Sequence, residues 1–387
     1  MSTKVRHAVG LDLGSSATRV VICSLEGDSL RFLGHGTAPV NSWSKGRLTD
    51  QAALTDSVRL AMQDAEARSG VSPEAVVLGL GGSAAGVNSR GVYEFGRKRQ
   101  IEASDLRYAV ELAVRVRLED DRLVLQVCPQ DFTLDGRAGF RNPESMPCSR
   151  LEANVHIVTA SAQEHEGLIG AVHQAHLAVE ETVFEGVAAA YASIIPEDRS
   201  RGAALVDIGA HSTHIAIYDG EALLHAAALP VGGDHFTRDI SWLLKVNYED
   251  AEHLKHEYGA ATGAVSDNSL IELPSPEGRA SREAKRAQLN EILEARAEEL
   301  LLRVYEEICR VSMESKLLEG VVLTGGGAML TGMCDLAERV LNTQVRNGLA
   351  TGISGWPEEL DTPIWATAAG LAMYSGRLKM WRRRKAA

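Results

Sequence analysis

Cysteine is sparse in this 387-residue sequence and offers no scaffold. Cys23, Cys128, Cys148, Cys309 and Cys334 include no CxxC pair and total an odd number, so a reducing cytoplasm is the simpler setting. Long apolar runs are missing as well. Each is broken by Gly, His or a charge well short of the roughly 18 residues that a bilayer span requires. The opening MSTKVRHAVG carries no apolar signal-peptide core. Basic charge is scarce outside one stretch. Residues 377–385, RLKMWRRRK, hold six positive charges; taking them from the total of 40 leaves 34 basic against 52 acidic residues, a body balance of -18 beneath the net -12. A body this acidic is a poor nucleic-acid ligand, so no nucleic-acid partner is expected.

What is present is an ordinary globular composition, 45% hydrophobic and 24% charged, in a chain too long for one core. Two or more domains are expected, and with no long or low-complexity linker they should form one compact body. The strongest organisational signal is a repeat. VGLDLGSSATRVVI (9–22) and LVDIGAHSTHIAIY (205–218) align so that Asp12 meets Asp207, Gly14 meets Gly209 and Thr18 meets Thr213. Each copy reads as apolar strand, Asp, apolar, Gly, short turn, Thr, apolar strand.

Between the copies the pattern is readable. Residues 9–40 predict three short strands, and a helix should run from Asp50 as N-cap, through Leu54, Val58, Ala61 and Ala65, to Gly70 as its stop. AVVLGLGG follows as a strand. Residues 82–158 then read strand, helix, strand, strand, a block that suggests an inserted subdomain. Residues 161–193 alternate helix, strand and helix. Residues 235–318 read as mostly helical, with LPSPEGR (273–279) separating two stretches and Leu289, Ile292, Leu293, Leu300 and Val304 on one stripe. GVVLT runs into TGGGAMLTG and a further helix.

The chemistry that suits such a repeat is polyphosphate binding. Backbone N–H groups of a tight turn can point at phosphate oxygens, and Gly allows both the turn and the close approach. A carboxylate at the end of the first strand can hold a hydrated Mg²⁺ beside them. Two such turns facing each other would clamp a polyphosphate from both sides. VVLTGGGAML (321–330) would let the backbone lie against a flat ring or a ribose. GLGGSAAG (79–86) mimics a dinucleotide fingerprint, but strand-like GVNSRGVYEF follows it, so no helix N-terminus is offered to a pyrophosphate. His211 is expected to cap or fill its turn and His214 to start a strand, while the pairs His173/His176 and His253/His256 should face solvent.

Two phosphate hairpins and a TGGG segment resemble the actin, sugar-kinase and heat-shock-chaperone superfamily of ATP-binding proteins. Within it the chain is similar to the FtsA family of bacterial cell-division proteins over nearly its whole length. VLQVCPQDFTLDG, RLEANVHIVTAS, ALVDIGAHSTHIAIYDGEALLHAAALPVGGDHFTRDI, GVVLTGGGAMLTGM, and TQVRNGLATGISG with ATAAGLAMY carry the likeness. It implies an α/β, actin-like (ribonuclease-H-like) two-lobed ATPase fold with an FtsA-type inserted subdomain. The first lobe would comprise 1–81, 159–200 and 345–375, and the insert 82–158. The second lobe's core would comprise 201–239 and 313–344, its helical subdomain 240–312, and a basic amphipathic tail 376–387.

The resemblance also implies site residues. Asp12, Gly14, Ser15 and Ser16 would form the first phosphate turn, and Asp207 and Gly209 the second, with Mg²⁺ held through water by Asp12 and Asp207. Gly232, Gly233, Glu252 and Lys255 would lie around the ribose and adenine of ATP, and Gly325, Gly326, Gly327 and Met329 over the base. Glu185 matches the residue that orients the attacking water. FtsA relatives usually show GGGT and then an Asp where this chain has Gly209-Ala210-His211-Ser212 and His214. ATP binding is therefore expected, with hydrolysis weak or absent.

On a helix, Leu371, Tyr374, Leu378 and Trp381 share a face, which with Arg382, Arg383, Arg384 and Lys385 suits an interfacial helix on anionic lipid. The implied role is a peripheral protein on the cytoplasmic face of the inner membrane at the division site. There it would polymerise with itself, bind the FtsZ C-terminal tail in the Z-ring and recruit later division proteins. Rivals are a PilM-like pilus-assembly scaffold and a small-molecule kinase of the same superfamily.

Overall fold

The computed structural model describes residues 6–44, 46–262, 269–274 and 282–386. The opening segment folds as expected into an antiparallel meander, His7–Leu13, Ala17–Glu26 and Ser29–Pro39. The helix after it, Gln51–Ser69, begins and ends where its local chemistry dictates. The Asp50 side chain accepts the Ala53 N–H, and Gly70 adopts φ 66° while its N–H donates to the Glu66 carbonyl. Leu54, Val58, Ala61 and Ala65 are the face it buries.

Two sheets organise the molecule. In the six-stranded one, Ala178–Phe184, Ala75–Leu80, His7–Leu13, Ala17–Glu26, Ser29–Pro39 and the short Ile353–Ser354 lie side by side in that order. In the nine-stranded one the order is Val345–Asn347, Val321–Thr324, Ala203–Ile208, Thr213–Asp219 and Ala222–Leu229, then Ala85–Gln100, Pro147–Ser161, Arg122–Leu134 and Arg137–Phe140. The last four strands, with helix Ala103–Val114 packed against them, are the block read from the sequence as an insert. The short strand Arg137–Phe140 was not anticipated; four residues, one of them glycine, give it no periodic signal.

That block has its covalent roots in the first half and its pairing in the second. It leaves from Ala75–Leu80 and returns through helix Ala162–Gln174 to Ala178–Phe184. Its link to the second half's sheet is the single pair Ala85 with Ala227. Side chains reinforce that link. The Ala226 N–H donates to His156 Nε2 at 3.0 Å, and Gln130 Nε2 donates to the Leu223 carbonyl at 3.1 Å. The His156 ring also packs edge-on to that of His225, centroids 5.9 Å apart.

The two hairpins of the repeat have the same register. Asp12 stands opposite Arg19 and Leu13 opposite Thr18; Asp207 stands opposite His214 and Ile208 opposite Thr213. One core gathers around Leu11, Ile22, Leu78 and Phe184 and takes in Leu205, Ala216 and Val322 of the second half, while the other lies around Ile208, Ile240, Leu293 and Leu323. In the second half the helices are Gly233–Leu244, Tyr248–Tyr258 and Arg286–Arg310. Leu289, Leu293, Leu300 and Val304 of the expected stripe are fully buried there. The expected loop 273–279 is in part something else: Leu273 ends a strand, Leu270–Leu273, paired with Arg282–Lys285. Residues 275–279 of that loop lie outside the described residues.

The chain closes with helix Ala366–Ala386, which runs unbroken from the core to the basic end. Its small residues let it lie against helix Glu185–Ser193; a Cβ on Gly370 would collide with the Ala188 carbonyl. No helix among the described residues is long and apolar enough to cross a membrane.

Candidate functional site

Both repeat turns converge on one buried acidic centre. Asp12 and Asp207, each at the end of its strand, are 6% and 7% exposed, and Glu185 opens the helix that follows Phe184. His214 lies among them, with Nδ1 3.3 Å from Glu185 Oε2 and 3.7 Å from Asp207 Oδ2. Its Nε2 is 3.0 Å from Ser212 Oγ. The Thr367 hydroxyl donates to Asp207 Oδ2 at 3.1 Å. The sequence suggested only that His214 would begin a strand with alternating side chains. It does begin that strand, but its ring is enclosed at the centre, edge-on to Phe184 at 5.8 Å.

Electrostatics follow from this burial. Loss of water pushes the Asp12 carboxyl up to about 6, with Arg19 and His214 opposing the rise and Asp207 adding to it. Burial pushes Glu185 further, to about 8, against the pull of His214. Burial alone would depress His214, but contact with Asp207 and the charges of Glu185 and Asp12 outweigh it, so His214 is raised. Burial thus favours the neutral form of Glu185, while the surrounding acids favour the charged form of His214.

The second turn is seated on a helix. The carbonyls of Gly209 and Ala210 accept the N–H groups of Gly233 and Asp234 at 2.9 and 2.8 Å. A Cβ on Gly232 would stand 2.5 Å from the Gly209 oxygen and 2.7 Å from that of Ala210, so this glycine serves the approach of turn to helix. Lys255 Nζ donates to the Gly233 carbonyl at 3.2 Å, to Thr237 Oγ1 at 2.8 Å and to Glu252 Oε2 at 2.7 Å. Burial would raise the Glu252 carboxyl, but hydrogen bonds from Lys255 and Thr237 hold it below its usual range. The TGGG segment covers Asp207: Gly325 has φ 81° and ψ 175°, and Gly326–Met329 form a short 3₁₀ turn with Met329 exposed. His211 does sit in its turn, with Nε2 3.6 Å from Asp234 Oδ2. His173, His176, His253 and His256 all face solvent as expected.

Among the described residues no three His, Cys, Asp or Glu side chains are grouped to hold a cation. Asp12 and Asp207 differ in what surrounds their carboxylates. Oδ2 of Asp207 accepts the Thr367 hydroxyl and lies 3.7 Å from His214 Nδ1, and Oδ1 lies against Gly325, where a Cβ would stand 2.5 Å away. Asp12, faced by Arg19, retains the freer carboxylate. A phosphate-bearing ligand does fit: Arg19 Nε and Thr324 Oγ1 are buried beside these turns without a hydrogen-bond partner among the described residues.

Comparison with known proteins agrees with this geometry. The family model described as "Cell division protein FtsA" matches residues 204–370, and "SHS2 domain inserted in FTSA" matches residues 81–159. Cell division protein FtsA of Borreliella burgdorferi is 33% identical over 371 residues, covering 95% of this chain and 90% of that protein. That of Escherichia coli K12 is 31% identical over 383 residues, covering 96% and 91%. The chain belongs to the FtsA family. It is thus a cell-division protein by descent, and the repeat, the TGGG turn and the insert are features of one family.

Solved structures show that the fold is actin-like. The PilM–PilN type IV pilus biogenesis complex aligns with TM-score 0.68 at 18% identity, covering 95% of this chain and 98% of that one. MreB 5 of Spiroplasma citri bound to AMPPNP aligns with TM-score 0.59 at 13% identity, covering 98% and 99%. At such identities the likeness carries the fold alone. Three partners in this site gave no sequence signal. Thr367 comes from the far end of the chain, and His214 and Gly81 become neighbours only when the halves meet. Arg19 was findable, because the repeat register places it where His214 stands in the second copy.

Proposed function

We propose that this FtsA-family chain binds ATP between its two repeat turns and polymerises as a division scaffold on the cytoplasmic face of the inner membrane. It tethers the FtsZ C-terminal tail and recruits later division proteins. The observation that carries this reading is the meeting of Asp12 and Asp207, duplicated residues 195 positions apart in sequence, in one buried centre beneath the Gly325–Gly327 turn. MreB 5, which shares the fold, is described as bound to AMPPNP in one structure and to ADP in another. Gly14, Ser15, Ser16 and Gly209 line the phosphates in this proposal, Gly326 and Met329 the base, and Lys255 with Glu252 the ribose edge. The lobe boundaries are those expected from the sequence. FtsZ is assigned to the helical part, 240–312, and polymer contacts to the insert.

The tail supports a membrane contact of limited extent. Leu371 is buried and Tyr374 and Leu378 are half-buried against the body, so only Trp381, 52% exposed, is freely presented from the apolar face. Arg382, Arg383, Arg384 and Lys385 are exposed around it, and Lys385 Nζ lies 3.9 Å above the Trp381 ring. Each basic residue near anionic lipid contributes about 1 kcal/mol, and many copies in a filament would add their contributions.

The deciding experiment is imaging of a tagged full chain in dividing cells. The expected result is a midcell band that becomes diffuse when Trp381, Arg382, Arg383, Arg384 and Lys385 are all changed to Ala. A wild-type signal elsewhere, for instance polar clusters, would overturn the division role.

A further inference from the structure

One surface of the second half lies apart from the nucleotide centre. Glu294, Glu298 and Leu302 stand at successive four-residue steps of helix Arg286–Arg310, so they share one stripe. Leu336, Arg339 and Val340 come from helix Met333–Leu341 beside it. Together these six residues line a cleft of about 360 Å³. Its floor is apolar: Leu336 is buried, Val340 is half-buried, and Leu302 lies 49% exposed at the rim. Its charge is negative. Arg339 is matched by Glu294 at 3.0 Å, and the flanking arginines of the long helix are engaged by different acids, Arg296 by Asp239 at 2.6 Å and Arg303 by Glu299 at 2.6 Å. That leaves Glu298 unmatched among the described residues.

The chain itself carries a segment of matching chemistry. Residues 377–385 hold six positive charges, no negative one, and the exposed indole of Trp381. Of the four basic residues that follow the indole, Arg384 alone faces a carboxylate among the described residues, that of exposed Asp28. An indole set in the cleft would bury about 150–250 Å² and bring arginines to Glu298. The cleft of the same copy is out of reach. Lys379 donates to the His7 carbonyl at 2.6 Å and meets Glu180 at 3.2 Å, and Gly376 packs on Leu30, so this end is held on the first half while the cleft belongs to the second. Tail and cleft are different surfaces, so their contact is heterologous and links copies head to tail. It is small beside a standard interface of about 1,600 Å². Its charges lie in solvent, where screening acts over about 8 Å at physiological salt. Such a contact is reversible and weakens as salt rises.

We propose that the basic end of one copy docks Trp381 into the cleft between helices Arg286–Arg310 and Met333–Leu341 of another, a self-contact that competes with anionic lipid for the same indole. The inference rests on the membrane reading above for its competitor, and the experiment separates the two. Sedimentation velocity follows the full chain without nucleotide or lipid. Wild type should associate at low salt and dissociate as salt is raised. Glu298→Lys with Leu302→Lys should weaken that association at least about tenfold, as should Trp381→Ser with Arg382→Ser and Arg383→Ser. Mixed in equal amounts, the two variants should form pairs and nothing larger, because one supplies the intact tail and the other the intact cleft. Vesicles of equal parts phosphatidylglycerol and phosphatidylcholine should bind the cleft variant at least about threefold more tightly than wild type, since its tail is free. Should the cleft variant lose its thermal transition, Glu298→Lys alone carries the test. Association that survives the cleft substitutions overturns the inference and leaves the polymer reading intact. A wild type that stays monomeric at low salt overturns it as well, as does a mixture without pairs or equal vesicle binding by wild type and cleft variant. If neither binds vesicles while the salt-sensitive pairing persists, the membrane reading falls and the self-contact stands.

Discussion

One methyl group placed on neighbouring glycines should have very different effects. Gly325 has φ 81° and ψ 175°, a region that side chains avoid at a cost of about 1–3 kcal/mol. A Cβ there would also stand 2.5 Å from Asp207 Oδ1 and 2.5 Å from the Ile208 carbonyl. Because the second is backbone and cannot step aside, overpacking adds about 1–3 kcal/mol. Gly325→Ala should therefore lose about 2–6 kcal/mol. Gly326 has nothing within 4 Å of its would-be Cβ, and its backbone lies outside the left-handed region. Gly326→Ala should stay within about 0.5 kcal/mol of wild type in stability. If the adenine lies over that open side as proposed, it should still weaken ATP binding by about tenfold. Urea unfolding followed by circular dichroism reads the first quantity, and titration with a fluorescent ATP analogue reads the second. Equal destabilisation by both variants would refute the reasoning, as would a Gly325→Ala chain as stable as wild type.

Two other changes are informative. Glu185 sits at about 8 in the fold against 4.5 as an ordinary carboxyl, so the unfolded chain releases its proton first and stability falls as pH rises from about 4.5 to about 8. Glu185→Gln removes that slope: its urea midpoint should gain on wild type across this window and run parallel outside it, and a pH-independent difference would count against the buried-acid picture. Asp105 binds Arg99 through both oxygens at 2.7 Å and accepts the Glu102 N–H at 2.8 Å, capping helix Ala103–Val114. Asp105→Ala should cost about 1–2 kcal/mol at neutral pH, seen as faster amide exchange in that helix; unchanged exchange would show that the cap is idle. The hydrogen bond from Arg99 holds the Asp105 carboxyl low, so wild type should lose the same increment on acidification below the usual carboxylate range.

Features set by neighbours along the chain were readable from the residues. Asp50 and Gly70 bound their helix because a side-chain cap and a left-handed stop are local chemistry. The GLGGSAAG segment leads into a strand, Ala85–Gln100, for the alternation visible in GVNSRGVYEF. The repeat gave the two hairpins and their common register. What stayed hidden depends on the halves meeting. Nothing in HSTHIAIY indicates that His214 will be enclosed by Glu185 and Asp207, since those residues come from other elements. The hairpin Leu270–Leu273 with Arg282–Lys285 escaped because four-residue strands carry too few alternations to register. The final helix was read as body and tail, and the helix that buries Ala368, Ala369 and Ala372 runs unbroken into the exposed arginines.

The attachment of the insert has a mechanical corollary. Rooted by covalent chain in one half and stitched through Ala85 and Ala227 to the other, it joins the two halves like a staple. Prising the halves apart must tear that seam or swing the whole block, including His156 and its grip on Ala226. With strands about 4.8 Å apart, the rim at Arg137–Phe140 lies about 15 Å from the seam and travels furthest. Any relative movement of the two halves is therefore carried furthest at that distant edge.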